Sequence, residues 1–238
     1  MPVVGRRLAV GATALVLVAS AFVAVGVFGS ATDDPADLPS ATSVSSTRTR
    51  EAASEEARNP GWQVVVDGQA QLTYELPPEW ALAEDTESLE SSNGVRLGHL
   101  ADFGTYTCQG AEYGRAFSGS GVAEGVPADA AAELAAAIAA DQYSDANQTA
   151  RVTLSRATPV VRDGVRGSVV RADAETTTDS ADACAGVRGT VVVVALATGV
   201  GTSVVVLGAD TVPGEALGPD TVEAGDLRAI TDSVRPRG

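Results

Sequence analysis

The residues that could do chemistry in this chain are few and scattered. His99 is the only imidazole among 238 residues, and all sixteen basic residues are arginines. Without lysine, neither Schiff-base chemistry nor a lysine general base is available. A hydrolase would need a nucleophile beside a base, and Ser118-Gly119-Ser120-Gly121 lacks the G-x-S-x-G pattern of a nucleophile elbow. His99 lies in a predicted strand between Leu97 and Leu100, which reads as a structural or surface histidine rather than a general base. Neighbouring carboxylates occur at Glu84-Asp85 and at Asp179 to Asp182, in acidic loop-like runs without a DxDxDG calcium loop. Solvated surface is the plain reading of both runs. No cofactor motif is present, so no cofactor and no metal are expected.

Two cysteines, Cys108 and Cys184, complete the reactive side chains. A zinc site would need further thiolate or imidazole ligands at CxxC or HxxxH spacing, and His99 offers neither. In an oxidising compartment the simple reading is one disulfide between them.

The compartment follows from residues 8–28, a run of twenty-one residues without a charge. At about 1.5 Å per helical residue it reaches roughly 31 Å, the thickness of a bilayer core. Arg6 and Arg7 precede it and Asp33, Asp34 and Asp37 follow it, so the positive-inside bias keeps residues 1–7 in the cytoplasm and sends the rest across. Ala19-Ser20-Ala21 resembles a signal-peptidase site, but the apolar run continues for seven residues beyond it, which favours an uncleaved anchor over a secreted form. Fourteen arginines and all 31 acidic residues lie beyond the segment, a formal charge of −17. Such a surface disfavours nucleic acid and anionic lipid headgroups.

Residues 29–60 are rich in Ser, Thr, Ala and Pro with few large apolar side chains. They cannot bury enough surface to offset their ordering entropy and read as a disordered linker. Its random-coil span is on the order of 30 Å. From Gly61 to the end at residue 238 one domain is expected. Runs 62–66 and 71–76 flank Asp67-Gly68, a hairpin signal in which Gly supplies a positive φ. Pro77-Pro78 stops the second run, and Trp80 and Leu82 should turn back over the core. Further strands are expected at 95–101, 112–117, 151–154, 158–161 and 167–174.

The run 127–143 predicts an Ala-rich helix with Leu134 and Ile138 on one face. The most apolar runs, 190–197 and 202–207, should be adjacent central strands buried on both faces, with the helices covering one of them. Leu227, Ile230 and Val234 mark a second helix that Pro236 ends, firm from about Asp226. The fold class is therefore α+β: an antiparallel sheet packed with two helices, preceded by a transmembrane helix and a linker.

Several stretches together carry a resemblance: Gly61-Trp62-Gln63-Val64-Val65, Tyr74-Glu75-Leu76-Pro77-Pro78-Glu79-Trp80, Arg115-Ala116, Gly164-Val165-Arg166-Gly167 and Ile230-Thr231-Asp232-Ser233-Val234-Arg235, with both cysteines. In order and spacing they resemble an actinobacterial family of membrane-anchored extracytoplasmic domains of unknown function. The strand-Pro-Pro-x-Trp opening is also similar to PsbP-like domains at the level of shape. The resemblance implies architecture and a disulfide, and it brings no catalytic residues.

Two classes of function follow. The first is a non-enzymatic binding or accessory module of the cell envelope, held in the cell membrane by one helix, with an envelope protein or cell-wall partner and no nucleic acid. The second is a secreted or anchored hydrolase that uses a carboxylate pair without His or Lys. For the first class, Phe103, Tyr106 and Tyr113 flank the loop around Cys108 and are the candidate partner-binding residues, because a disulfide there would hold an exposed aromatic loop rigid. Trp62, Tyr74 and Trp80 read as core.

Overall fold

The computed structural model describes residues 56–144, 149–176, 184–212 and 218–237. The expected anchor at 8–28 and most of the expected linker lie outside them, as do Asp179 and Asp182. Among the described residues no helix is long and apolar enough to cross a membrane.

The first half of the domain is made of strands: β1 (Gln63–Asp67), β2 (Leu72–Leu76), β3 (Ala81–Leu82), β4 (Leu89–Glu90), β5 (Arg96–Phe103), β6 (Tyr106–Cys108), β7 (Ala111–Tyr113) and β8 (Ala116–Ala123). Helix α1 (Pro127–Tyr143) leads into β9 (Arg151–Leu154), β10 (Thr158–Arg162), β11 (Val165–Glu175), β12 (Arg188–Thr198) and β13 (Gly201–Val212). Helix α2 (Ala224–Ser233) and β14 (Arg235–Pro236) end the chain. A nine-stranded sheet runs β10-β11-β12-β13-β8-β5-β3, with β9 also on β11 and β4 also on β5. Its pairings are antiparallel, as are those of a three-stranded sheet β1-β2-β14 and a hairpin β6-β7. The α+β architecture is as expected.

The period of two in β12 and β13 builds the centre. Val191, Val193, Val204 and Val206 pack with Leu134 and Ile138 of α1, whereas Val194, Leu196, Val205 and Leu207 pack with Tyr74, Trp80 and Ile230. Both faces are buried, as the continuous apolar runs require. The helices do not share a face, however: α1 covers one, and α2 covers the other together with the small sheet. The small sheet fills the width that a ten-residue helix leaves open.

Several local expectations change. The first hairpin forms with Gly68 in its turn, but Gly68 does not supply the positive φ. Gln71 holds the positive φ of 52°, and the Asp67 carboxylate accepts the Gln69 and Ala70 N–H groups, so a side chain supplies the turn. Leu82 is 51 % exposed on β3, while Trp80 alone enters the core. The run 112–117 divides at Gly114-Arg115, and β8 then continues through Ser118-Gly119-Ser120-Gly121. Those small residues permit close strand approach: a Cβ at Gly121 would overlap the Arg96 carbonyl oxygen. Helix α2 begins at Ala224, a turn's fraction earlier than expected. Arg58 and Asn59, read as the end of the linker, already belong to the fold through hydrogen bonds to Glu75.

Register places the chain's turns at two ends of the large sheet. At one end lie Thr198↔Gly201, Thr202↔Ala123 and the Asp163-Gly164 turn beyond Arg162↔Val165. Phe103↔Ala116, Ala209↔Ala116 and Glu175↔Arg188 mark the other. Arg58 meets Asp163 at 2.8 Å, so the chain enters the domain at the first end. Both cysteines lie at the second.

Candidate functional site

The second end is built around a short hairpin. Beyond Phe103, Gly104 adopts a φ of 62° and starts β6; Gln109 and Gly110, both at positive φ, join β6 to β7 in a two-residue turn. Cys108, next to that turn, is bonded to Cys184 with a Cα–Cα distance of 5.8 Å. The bond ties the hairpin to the segment that leads into β12. Tyr106 reinforces the same tie, because its hydroxyl donates to the Cys184 carbonyl at 2.5 Å.

Tyr106 and Tyr113 are cross-strand partners, which puts both rings on one face of the hairpin. The rings stack with centroids 5.6 Å apart, and the Arg115 guanidinium lies 4.4 Å from the centre of the Tyr106 ring. Arg115 is fully buried. Its Nη1 is 3.4 Å from Asp210 Oδ2 and its Nε donates to the Pro219 carbonyl. Backbone bonds lock the same residues, since Arg115 N–H donates to Phe103 and the Arg115 carbonyl accepts from Asp210. Tyr143, the last residue of α1, donates to the other Asp210 oxygen at 3.0 Å; no Cβ would fit at Gly189 beneath that hydroxyl. Arg115 Nη2 is buried without a hydrogen-bond partner among the described residues. Such an atom is unusual in a packed interior.

Chemically this centre braces the end of the sheet. Asp210 pairs with Arg115 and accepts from Tyr143, so the three side chains pack as one bonded group. Of the residues expected to bind a partner, Tyr113 is 3 % exposed, Tyr106 is half-buried, and Phe103 packs on Trp80 with ring centroids 5.8 Å apart. The structure does bring Tyr106 and Tyr113 together beside the disulfide, but it turns them inward onto Arg115. The outward face of the hairpin carries Thr105, Thr107, Gln109 and Glu112 instead. Sequence reasoning missed Arg115, Asp210 and Tyr143 as a group. The available signal was a charge at the end of an apolar run, Val204 to Asp210.

His99 meets a second polar cluster. It sits at an irregularity of β5 with a φ of 48°, and its Nε2 lies 3.7 Å from Asp67 Oδ1. Ser120 donates to Asp67 Oδ2 at 2.7 Å, and the Tyr74 hydroxyl donates to the His99 carbonyl. Serine, histidine and aspartate therefore meet here without a catalytic order, since the serine bonds to the aspartate and is itself buried. Burial pushes the Tyr74 phenol far above its ordinary value, so it stays neutral. These bonds fasten the β1–β2 hairpin to β5 and β8.

Asp102 stands apart. Burial first, and the charge of Glu87 second, raise its carboxyl to about 6, and its Oδ1 is buried with no hydrogen-bond partner among the described residues. An open depression of about 360 Å³ lies further along the same end, lined by Arg151, Asp173, Glu175 and Arg188. Among the described residues no group of three His, Cys, Asp or Glu side chains is placed to hold a metal.

No curated protein matches this chain. The family described as Domain of unknown function (DUF8017) matches residues 55–238. Its start coincides with Arg58 and Asn59 joining the fold, and its span takes in the disulfide, Arg115 and Asp210. The chain belongs to that family.

Proposed function

We propose that this chain is a single-pass, membrane-anchored extracytoplasmic module of the cell envelope that binds a partner and catalyses no reaction. The observation that carries the proposal is the opposition of the two ends. The chain enters at the Arg58–Asp163 pair, and the disulfide-braced hairpin sits across the length of the sheet from it. A domain tethered at its first end would present Thr107, Gln109 and Glu112 away from the membrane. The apolar run 8–28 behind Arg6 and Arg7 supports the anchor, and a disulfide suits an extracytoplasmic compartment. An actinobacterial origin and a PsbP-like shape belong to the same reading. The order and spacing of the stretches from Gly61 to Arg235 support the first, and the strand-Pro-Pro-x-Trp opening, with Leu76 ending β2 and Trp80 buried, supports the second.

External protease on intact cells tests the topology. It should release a fragment beginning near residue 55 that retains its disulfide. Complete protection of the chain would place the domain inside and overturn the proposal, and a mature N-terminus at Phe22 would replace the anchor with a secreted form.

The second reading, a hydrolase acting through two carboxyl groups, draws on Asp102 beside Glu87. Release of reducing ends from isolated cell wall that is abolished by Asp102→Asn would establish it.

A further inference from the structure

The chain as a whole carries a formal charge of −15, yet between Arg151 and Arg171 five arginines accompany a single acidic residue, Asp163. Within that stretch β9 and β10 form the edge of the large sheet, and β11 lies beside them. Both β9 and β10 pair with β11, and among the described residues nothing pairs with their outer side. Arg162 is held by Asp232 and Arg171 by Asp173. Arg151, Arg156 and Arg166 are exposed and have no ion pair among the described residues. Residues 153–159 are all exposed, and two aliphatic side chains join them: Leu154 at 43 % and Val161 at 64 %.

We propose that this edge receives an acidic, extended polypeptide segment of a partner by strand addition. The open N–H and C=O groups supply the pairing, the three arginines supply complementary charge, and Leu154 and Val161 supply apolar contacts for alternate side chains. Pro159 removes one donor and leaves the rest of the edge available. A second copy of the chain is disfavoured, because two such edges bring arginines together. A polyanionic glycan would use the arginines but neither the backbone groups nor the aliphatic side chains.

The test uses the full-length chain in detergent and a fluorescent eight-residue peptide of alternating Glu and Val. At low salt the peptide should bind and slow hydrogen exchange at the outward-facing amides among Thr158, Val160, Val161 and Arg162. Combined Arg151→Glu, Arg156→Glu and Arg166→Glu substitution should weaken binding at least tenfold and leave the melting temperature unchanged. Absence of binding overturns the proposal, as does undiminished binding to the triple variant. It also fails if a sulfated polysaccharide binds as tightly while exchange at 158–162 stays unaltered in either complex, or if the chain dimerises through these amides.

Discussion

Each end of the molecule buries one arginine against one carboxylate, and the two pairs are finished to different degrees. At the Glu75 pair, Arg235 Nη1 lies 2.8 Å from Oε1, and the carboxylate also accepts the N–H groups of Arg58 and Asn59 and the Asn59 side chain. Burial alone would raise Glu75, but those donors outweigh it and hold the carboxyl below its ordinary value. The pair locks the chain's entry to β2 and β14. At the disulfide end, Arg115 meets Asp210 only at 3.4 Å, one guanidinium nitrogen lacks a partner among the described residues, and a disulfide and a tyrosine stack do the bracing. The Glu75 pair is the more fully hydrogen-bonded of the two.

The largest effect should come from breaking the complete pair. Glu75→Leu strands Arg235 and two backbone N–H groups and should cost about 3–5 kcal/mol in denaturant unfolding. Asp210→Leu leaves the buried Arg115 charge without its carboxylate and takes an acceptor from Tyr143, and with the longer ion pair it should fall at the lower end, about 3 kcal/mol. Equal losses would erase the distinction between the ends. Next comes the disulfide. Cys108→Ser or Cys184→Ser opens a link spanning 76 residues of sequence and should cost about 2–4 kcal/mol, read as a lower melting temperature in the oxidised protein only.

Proton linkage sharpens the comparison further. Asp102 has a folded value raised to about 6, so the folded protein holds a proton that the unfolded chain has released between about pH 4 and 6. Its contribution to stability is present below that window and is lost as pH rises through it. Glu75 works in the opposite sense: its contribution is present above the unfolded value and is lost as pH falls through the lowered folded value. Asp102→Asn should flatten the decline between pH 4 and 6 and leave the acid limb intact; an unchanged pH profile would exclude the buried, proton-holding carboxyl. The smallest effect belongs to Tyr106→Phe, which removes one hydrogen bond to the Cys184 carbonyl and should cost about 1 kcal/mol.

Much of the fold was legible because it rests on short-range pattern. Continuous Val runs announced β12 and β13, alanine density announced α1, and Leu227 and Ile230 announced α2. What escaped depended on distance or smallness. Ser118 to Gly121 gave no strand signal, because residues small enough to let Arg96 and Leu100 approach closely show no hydrophobic alternation. Arg115 and Asp210 are 95 residues apart and share no periodicity. For Tyr106 and Tyr113, strands of three residues are too short for alternation to reveal which face turns inward. The cysteines marked the hairpin that carries Tyr106 and Tyr113, but the rings there turn inward onto Arg115.

The proposed module would meet its envelope partner through the disulfide hairpin and not through the β12–β13 turn at the entry end. A photoreactive amino acid placed at Gln109, on the hairpin turn, or at Val200, exposed at the entry end, tests it in intact cells expressing the full-length chain. A discrete crosslinked species is expected from position 109, disappearing when Cys184 is replaced by Ser, and none from position 200. A species from position 200 alone, or the same species from both positions, would contradict it.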